Sequence, residues 1–159
     1  MVAQHSRGHR DFLATFSETV VLDVDGLGPV RFCHGSPRSV EECVTVATPD
    51  DRMAELLAGV EEDVLATAHT HVSFDRLVLG KRSVNPGSVG LPYEGRSGAF
   101  WALLGPGVDL RRTDYDVGEA AARMRAQPEP GVEQIVELLL EPPSREEAIE
   151  HAERVRFSG

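Results

Sequence analysis

The chain has 159 residues, enough for one domain with a buried core. Its 41% hydrophobic and 26% charged content is ordinary for a globular fold, and its formal net charge of -10 excludes a general nucleic-acid or anionic-membrane binder, which needs a Lys/Arg surplus. Met1-Val2-Ala3-Gln4-His5-Ser6-Arg7 has no apolar stretch of leader length, no run approaches the roughly 20 apolar residues of a membrane span, and Cys33 and Cys43 are too few for a disulfide framework, so a cytoplasmic location with reduced thiols is expected.

In chain order, a short helix is expected around Arg10–Phe16. Thr19–Val24 and Val30–Cys33 flank the turn signal Asp25-Gly26-Leu27-Gly28 and read as a hairpin. The loop His34–Ser39 follows. Pro49-Asp50-Asp51 opens a helix with Met53, Leu56, Leu57 and Val60 on one face. Asp63–Ala68 is apolar with little alternation, the pattern of a strand covered on both faces. Phe74–Leu79 and Arg82–Val84 flank Gly80-Lys81 as a second hairpin. Ala99–Leu104 and Val108–Thr113 flank Gly105-Pro106-Gly107 as a third, with Phe100 and Trp101 assigned to the core. The pattern then turns helical: Val117–Ala126, the break Pro128-Glu129-Pro130-Gly131, Val132–Leu140, the stop Pro142-Pro143, and Arg145–Val155 behind a Ser144/Glu147 capping box. Residues 1–115 form the domain and 116–159 its helical extension.

Three short stretches carry chemistry. In Ala68-His69-Thr70-His71 an extended chain would point both imidazoles to one side, toward one metal ion or two adjacent ones. The other reading is two exposed loop histidines. Cys33-His34-Gly35-Ser36-Pro37 sets a third imidazole after an apolar run; Gly35 permits close backbone approach, and the Ser36 hydroxyl and loop N–H groups could hold an anion. Asn85-Pro86-Gly87-Ser88 carries the single asparagine of the chain, suited to orienting a ligand or closing a turn. Arg38 and Arg96 could meet a phosphate or stand as surface arginines. The acidic pairs Glu41-Glu42 and Glu61-Glu62 are expected in solvent, as are His5, His9 and His151. Asp23-Val24-Asp25-Gly26 resembles the first motif of haloacid-dehalogenase-type phosphatases, but the strand after it suits a hairpin better.

Together the three stretches resemble the C-terminal half of the calcineurin-like metallophosphoesterase superfamily, in its compact phosphodiesterase branch. Cys33-His34-Gly35-Ser36 resembles the G-H-x loop, Ala68-His69-Thr70-His71 the G-H-T-H motif with Ala68 in place of glycine, and Asn85-Pro86-Gly87-Ser88 the N-x-G-S loop. The resemblance covers roughly residues 10–115. It implies an α/β (α+β) fold, a β-sandwich flanked by helices with a helical C-terminal tail. It implies two divalent ions (Mn, Fe, Zn or Ni), one held by His34 and His69 and the other by His71, with Ser36, Arg38 and Asn85 at the substrate. The implied reaction is hydrolysis of a phosphomonoester or phosphodiester, the substrate a small or nucleotide-type phosphate ester.

The family's D-x-H, G-D-x-x-D and G-N-H-D/E motifs do not occur in this chain. They would supply the bridging aspartate, the asparagine ligand and the catalytic histidine, so no catalytic residue is identified. Three histidines alone could hold one ion in the manner of an open zinc site; turnover would need carboxylate ligands from elsewhere, such as Asp23, Asp25 or Asp75, or from a second subunit. Three explanations compete: a shortened version of a full enzyme, a half-domain that pairs with another chain, or a degenerate binding or oligomerisation module. Impaired activity and self-association through exposed sheet edges are expected.

Overall fold

The computed structural model describes residues 6–127 and 130–155. Five strands make one mixed sheet in the order β1-β2-β3-β5-β4, comprising β1 (Thr19–Val24), β2 (Gly28–Cys33), β3 (Val64–Ala66), β4 (Phe74–Val78) and β5 (Lys81–Asn85). β2, β3 and β5 run parallel; β1 and β4 close the two edges antiparallel. The three central strands therefore end on one side of the sheet, the side where open α/β sheets place ligands. Their last residues are Cys33, Ala66 and Asn85.

The sheet is covered on both faces, as the apolar, non-alternating β3 requires: Val64, Leu65 and Ala66 are all buried. On one face, Val30, Val64, Ala66 and Val84 pack against Leu104 and Val108 of the hairpin β6 (Ala99–Leu104) and β7 (Val108–Thr113). On the other, Leu65, Phe74 and Val78 pack with Val44 and with Met53 and Leu56 of α2 (Asp50–Leu56). Phe100 is buried, as expected, whereas Trp101 is half-exposed and donates through Nε1 to Thr113 Oγ1.

The first helix, α1, spans Arg7–Leu13 rather than 10–16, because the Ser6 hydroxyl accepts the His9 N–H and caps it early. The second hairpin turns at Leu79-Gly80, both at positive φ, one residue before the expected turn. Asp23 and Val24 end β1, and Asp25-Gly26 open the β1–β2 turn.

The C-terminal part packs as α3 (Val117–Arg125) against α4 (Val132–Leu140), with Ala121, Val136 and Leu139 buried against Leu91 and Tyr115. α5 (Arg145–Val155) begins at the expected capping box: Ser144 Oγ and N–H both donate to Glu147 Oε2, and the Glu147 N–H returns to Ser144 Oγ. Among the described residues no helix is long and apolar enough to cross a membrane.

Candidate metal centre

His34 is the residue after β2, and His69 and His71 lie in the loop after β3. The parallel pairing of those strands brings His34 Nε2 within 3.2 Å of His69 Nδ1, with the rings edge to face at a centroid separation of 5.0 Å. One ring donates to the other. His71 turns elsewhere: its Nδ1 lies 2.8 Å from the Leu91 carbonyl, and its ring lies against Tyr93, 5.0 Å between centroids.

The chain between them is not extended, which corrects the geometry expected from the His-x-His spacing. β3 stops at Ala66, and His69 and His71 both take positive φ, 66° and 57°. The Thr70 N–H closes on the Ala68 carbonyl at 2.7 Å, a three-residue turn around His69. Such backbone is strained for a residue with a side chain and persists only where its surroundings over-determine it. Here they do. The Ala68 N–H donates to the His34 carbonyl at 2.7 Å, and the His71 carbonyl accepts the Tyr93 N–H at 3.0 Å. Asn85, fully buried at the end of β5, donates through Nδ2 to the Ala68 carbonyl and to Thr70 Oγ1, and accepts the Gly87 N–H. The asparagine thus both braces the histidine loop and closes its own turn.

The loop after His34 is filled from within. Ser36 is buried and its Oγ donates to Glu42 at 2.6 Å while accepting the Arg38 and Ser39 N–H groups. Arg38 grips the same carboxylate through Nε and Nη2, at 2.9 and 2.8 Å, and Arg52 adds a second cation at 3.4 Å. Glu42 is therefore buried, 2% exposed, and not in solvent as its pairing with Glu41 suggested. The loop curls tightly because residue 35 has no side chain: a Cβ there would lie 2.7–2.8 Å from the carbonyl oxygens of Ser39, Val40 and Glu42. Glu62 is likewise engaged, bidentate with Arg31. Arg96 is exposed, 5.6 Å from the Phe100 ring. His9 and His151 are exposed as expected, and His5 lies outside the described residues.

Burial lowers the pKa of His71, outweighing the bond to the Leu91 carbonyl that favours its proton. Partial burial and the neighbouring His69 ring lower that of His34. Both imidazoles are held toward the neutral form that a metal or a proton donor can use. Burial pushes the Cys33 thiol up to about 11, so it stays protonated beside the histidines.

The donors fit only part of a metal shell. Two nitrogens bound to one tetrahedral zinc at about 2.05 Å stand roughly 3.3 Å apart, close to the His34–His69 spacing. Among the described residues, however, no three His, Cys, Asp or Glu side chains assemble into a group that could hold an ion. The carboxylates considered from sequence do not help. Asp75 is bidentate with Arg82, at 2.8 and 2.6 Å. Asp23 and Asp25 lie at the opposite end of the sheet, since Val24 pairs with Gly28 while Thr19 pairs with Cys33. The dinuclear set implied by the resemblance, with His71 as ligand to a second ion, is not assembled by these residues.

No family model matches the chain, and no curated protein does. Solved structures do. A hypothetical protein from Pyrococcus horikoshii OT3 superposes with a TM-score of 0.71 at 22% identity, over 86% of this chain and 55% of its own length. A metallophosphoesterase from Sphaerobacter thermophilus superposes with a TM-score of 0.64, also at 22% identity, over 86% of this chain and 64% of its own. The fold is metallophosphoesterase-like. The chain spans little more than half the length of the first neighbour and under two thirds of the second. Within the metallophosphoesterase-like fold, His34, His69, His71 and the Asn85 loop stand where the parallel strands end.

Proposed function

We propose that this chain is the histidine-bearing part of a divalent-metal-dependent phosphoesterase, acting on phosphomonoesters or phosphodiesters once carboxylate ligands complete the centre. The single observation supporting this is the convergence of the β2, β3 and β5 ends, which sets the His34 and His69 ring nitrogens 3.2 Å apart over a turn braced by Asn85. The residues do what a rigid half-site requires: they hold the His34 and His69 rings in one orientation and keep the loop from relaxing. A cytoplasmic location accompanies this reading, supported by the two free thiols, Cys33 and Cys43.

A second reading is a non-catalytic binding or oligomerisation module with the same ancestry. It is favoured by one observation, that the two converging imidazoles bond to each other with no third donor among the described residues. A generic phosphomonoester and phosphodiester, assayed with added Mn²⁺, separate the two. Turnover above background that His69→Ala abolishes supports the phosphoesterase. No turnover with added Mn²⁺ favours the binding module for this chain. Divalent-ion content unchanged by His69→Ala would remove His69 as a ligand.

A further inference from the structure

The helical extension does more than end the chain. Its last helix, α5, stands across from the histidine loop with a cavity of about 640 Å³ between them; His69 and Tyr93 line one side, His151 and Ala152 the other. The chain between β5 and β6, residues 86–98, ties the two together around that cavity.

Toward the histidine loop, residues 91–94 hold residues 71–73 through backbone, ring and carboxylate. The Leu91 carbonyl oxygen lies 2.8 Å from His71 Nδ1, and the Tyr93 N–H donates to the His71 carbonyl at 3.0 Å. The Tyr93 and His71 rings lie together, 5.0 Å between centroids. Two residues on, Glu94 Oε1 accepts both the N–H and the hydroxyl of Ser73, at 2.5 and 2.6 Å.

Toward the extension, the same segment is held from the other side. Leu91 packs against Ala121, Val136 and Leu139 of α3 and α4, and the Ser97 hydroxyl donates to the Leu139 carbonyl at 2.8 Å. The Gly95 N–H donates to the Pro143 carbonyl at 2.8 Å. Arg145 donates to the second oxygen of Glu94, Oε2, at 3.0 Å, and the Glu94 side chain is only 7% exposed. Arg145 is the first residue of α5, where a cation opposes the helix dipole. The ion pair gives it a reason to stand there. A carboxylate this buried is poorly tolerated without its cation, so α5 and residue 94 are strongly coupled.

The contact at Leu91 decides the state of the His71 ring. A carbonyl oxygen only accepts, so Nδ1 carries a proton, and in the neutral ring Nε2 then carries the lone pair. We propose that the C-terminal extension is the positioning element of His71: acting through residues 91–95, with Glu94 and Arg145 as positioning residues, it holds the ring as its Nδ1–H tautomer and makes Nε2 the acceptor nitrogen. The extension is thus a working part of the histidine site and not an appendage to it. The proposal concerns the ring itself and stands whether or not the chain turns over a phosphate ester.

The test reads the ring directly. With ¹⁵N-labelled histidine in the full chain, a long-range ¹H–¹⁵N correlation spectrum at about pH 8, where an ordinary imidazole is neutral, distinguishes the two tautomers. The His71 signals are identified by their loss in His71→Asn. The parent shows Nδ1 protonated and Nε2 unprotonated. Arg145→Ala moves the His71 pattern toward an average of both tautomers, and the Tyr93 amide exchanges at least about tenfold faster while the amides of β2 and β3 keep their rates. Arg145→Lys, which can still make the single bond to Glu94, retains the parent pattern, and so does Arg154→Ala on the same helix. Where Arg145→Ala fails to fold, Ser73→Ala loosens Glu94 from its other side and is read in the same way. A His71 ring in the Nε2–H form, an unchanged pattern in the folded alanine variant, Arg145→Lys behaving as Arg145→Ala, or an equal change in Arg154→Ala overturns the proposal.

Discussion

Asn85 holds the Ala68 carbonyl at 2.7 Å from beneath, and that bond fixes the start of the turn on which His69 stands. The carbonyl also accepts the Thr70 N–H, so one oxygen secures both the strained turn and the neighbouring strand end. Asn85→Ala removes two donors and one acceptor from a fully buried position. The expected loss is about 2–4 kcal/mol of unfolding free energy, from lost bonds plus a Gly87 N–H left without its acceptor. Urea denaturation measures it. The His34 and His69 ring resonances shift with it as the two imidazoles part. A variant as stable as the parent would mean that the turn does not depend on this amide.

Glu42 makes stability depend on acid. Burial opposes its ionisation, but the bonds from Arg38 and Ser36, the Arg38 charge and the bond from Arg52 outweigh burial and hold its carboxyl below the usual range. A carboxyl depressed in the folded state contributes stability in full above its unfolded pKa of about 4.3 and loses it as pH falls through the folded value. Glu42→Gln begins with a lower Tm at pH 7, because Arg38 and Arg52 keep their charges without the counter-charge. Its Tm then falls less than that of the parent between pH 5 and the acid limit of folding, roughly pH 3. Parallel curves for the two proteins would remove Glu42 as the source.

The elements with strong local signals were legible. Thr19–Val24, Ala99–Leu104, Val108–Thr113, Val132–Leu140 and Arg145–Val155 match the structure residue for residue, because each is bounded by a glycine or proline turn, a proline stop or a capping box. The site was legible in composition but not in shape. Positive φ at His69 and His71 leaves no trace in hydrophobic periodicity, so the spacing suggested an extended pair. Glu42 looked solvated because the sequence shows its acidic neighbour Glu41 and not Arg52, ten positions away, which folding brings to it. The cavity was invisible for the same reason: His151 reads as a tail residue until α5 is laid across the histidine loop.

The Leu79-Gly80 turn is an opportunity for stabilisation. Both residues have positive φ, 52° and 79°, the pairing of a two-residue hairpin turn that favours asparagine before glycine. Leu79 is 56% exposed, so its side chain returns little for the strained backbone. Leu79→Asn is expected to raise unfolding free energy by about 0.5–1 kcal/mol, a relief of local strain that touches no packed neighbour. Thermal melting checks it, and a lowered Tm would show that Leu79 makes contacts that matter.

β1 is an edge strand of the five-stranded sheet, and it is poorly guarded. Val20, Val21 and Leu22 are 45%, 43% and 54% exposed, so the strand shows apolar side chains on both faces. The other edge, β4, is different: Asp75 and Arg76 lie at its centre and pair with Arg82 and Asp50. An edge without lysine, proline or bulge is a template for another strand. β1 can serve its own copy. In a two-fold antiparallel pairing centred on Val21, Val20 faces Leu22 of the partner and Thr19 faces Asp23, so no two carboxylates meet; each such apolar pair adds roughly 0.2–1 kcal/mol. The full chain is therefore expected to self-associate as its concentration rises, and Val21→Lys to return it to monomer with its fold intact. Light scattering coupled to size exclusion reads both. A parent chain that remains monomeric at hundreds of micromolar, or a Val21→Lys variant that associates equally well, would place the self-association elsewhere or remove it.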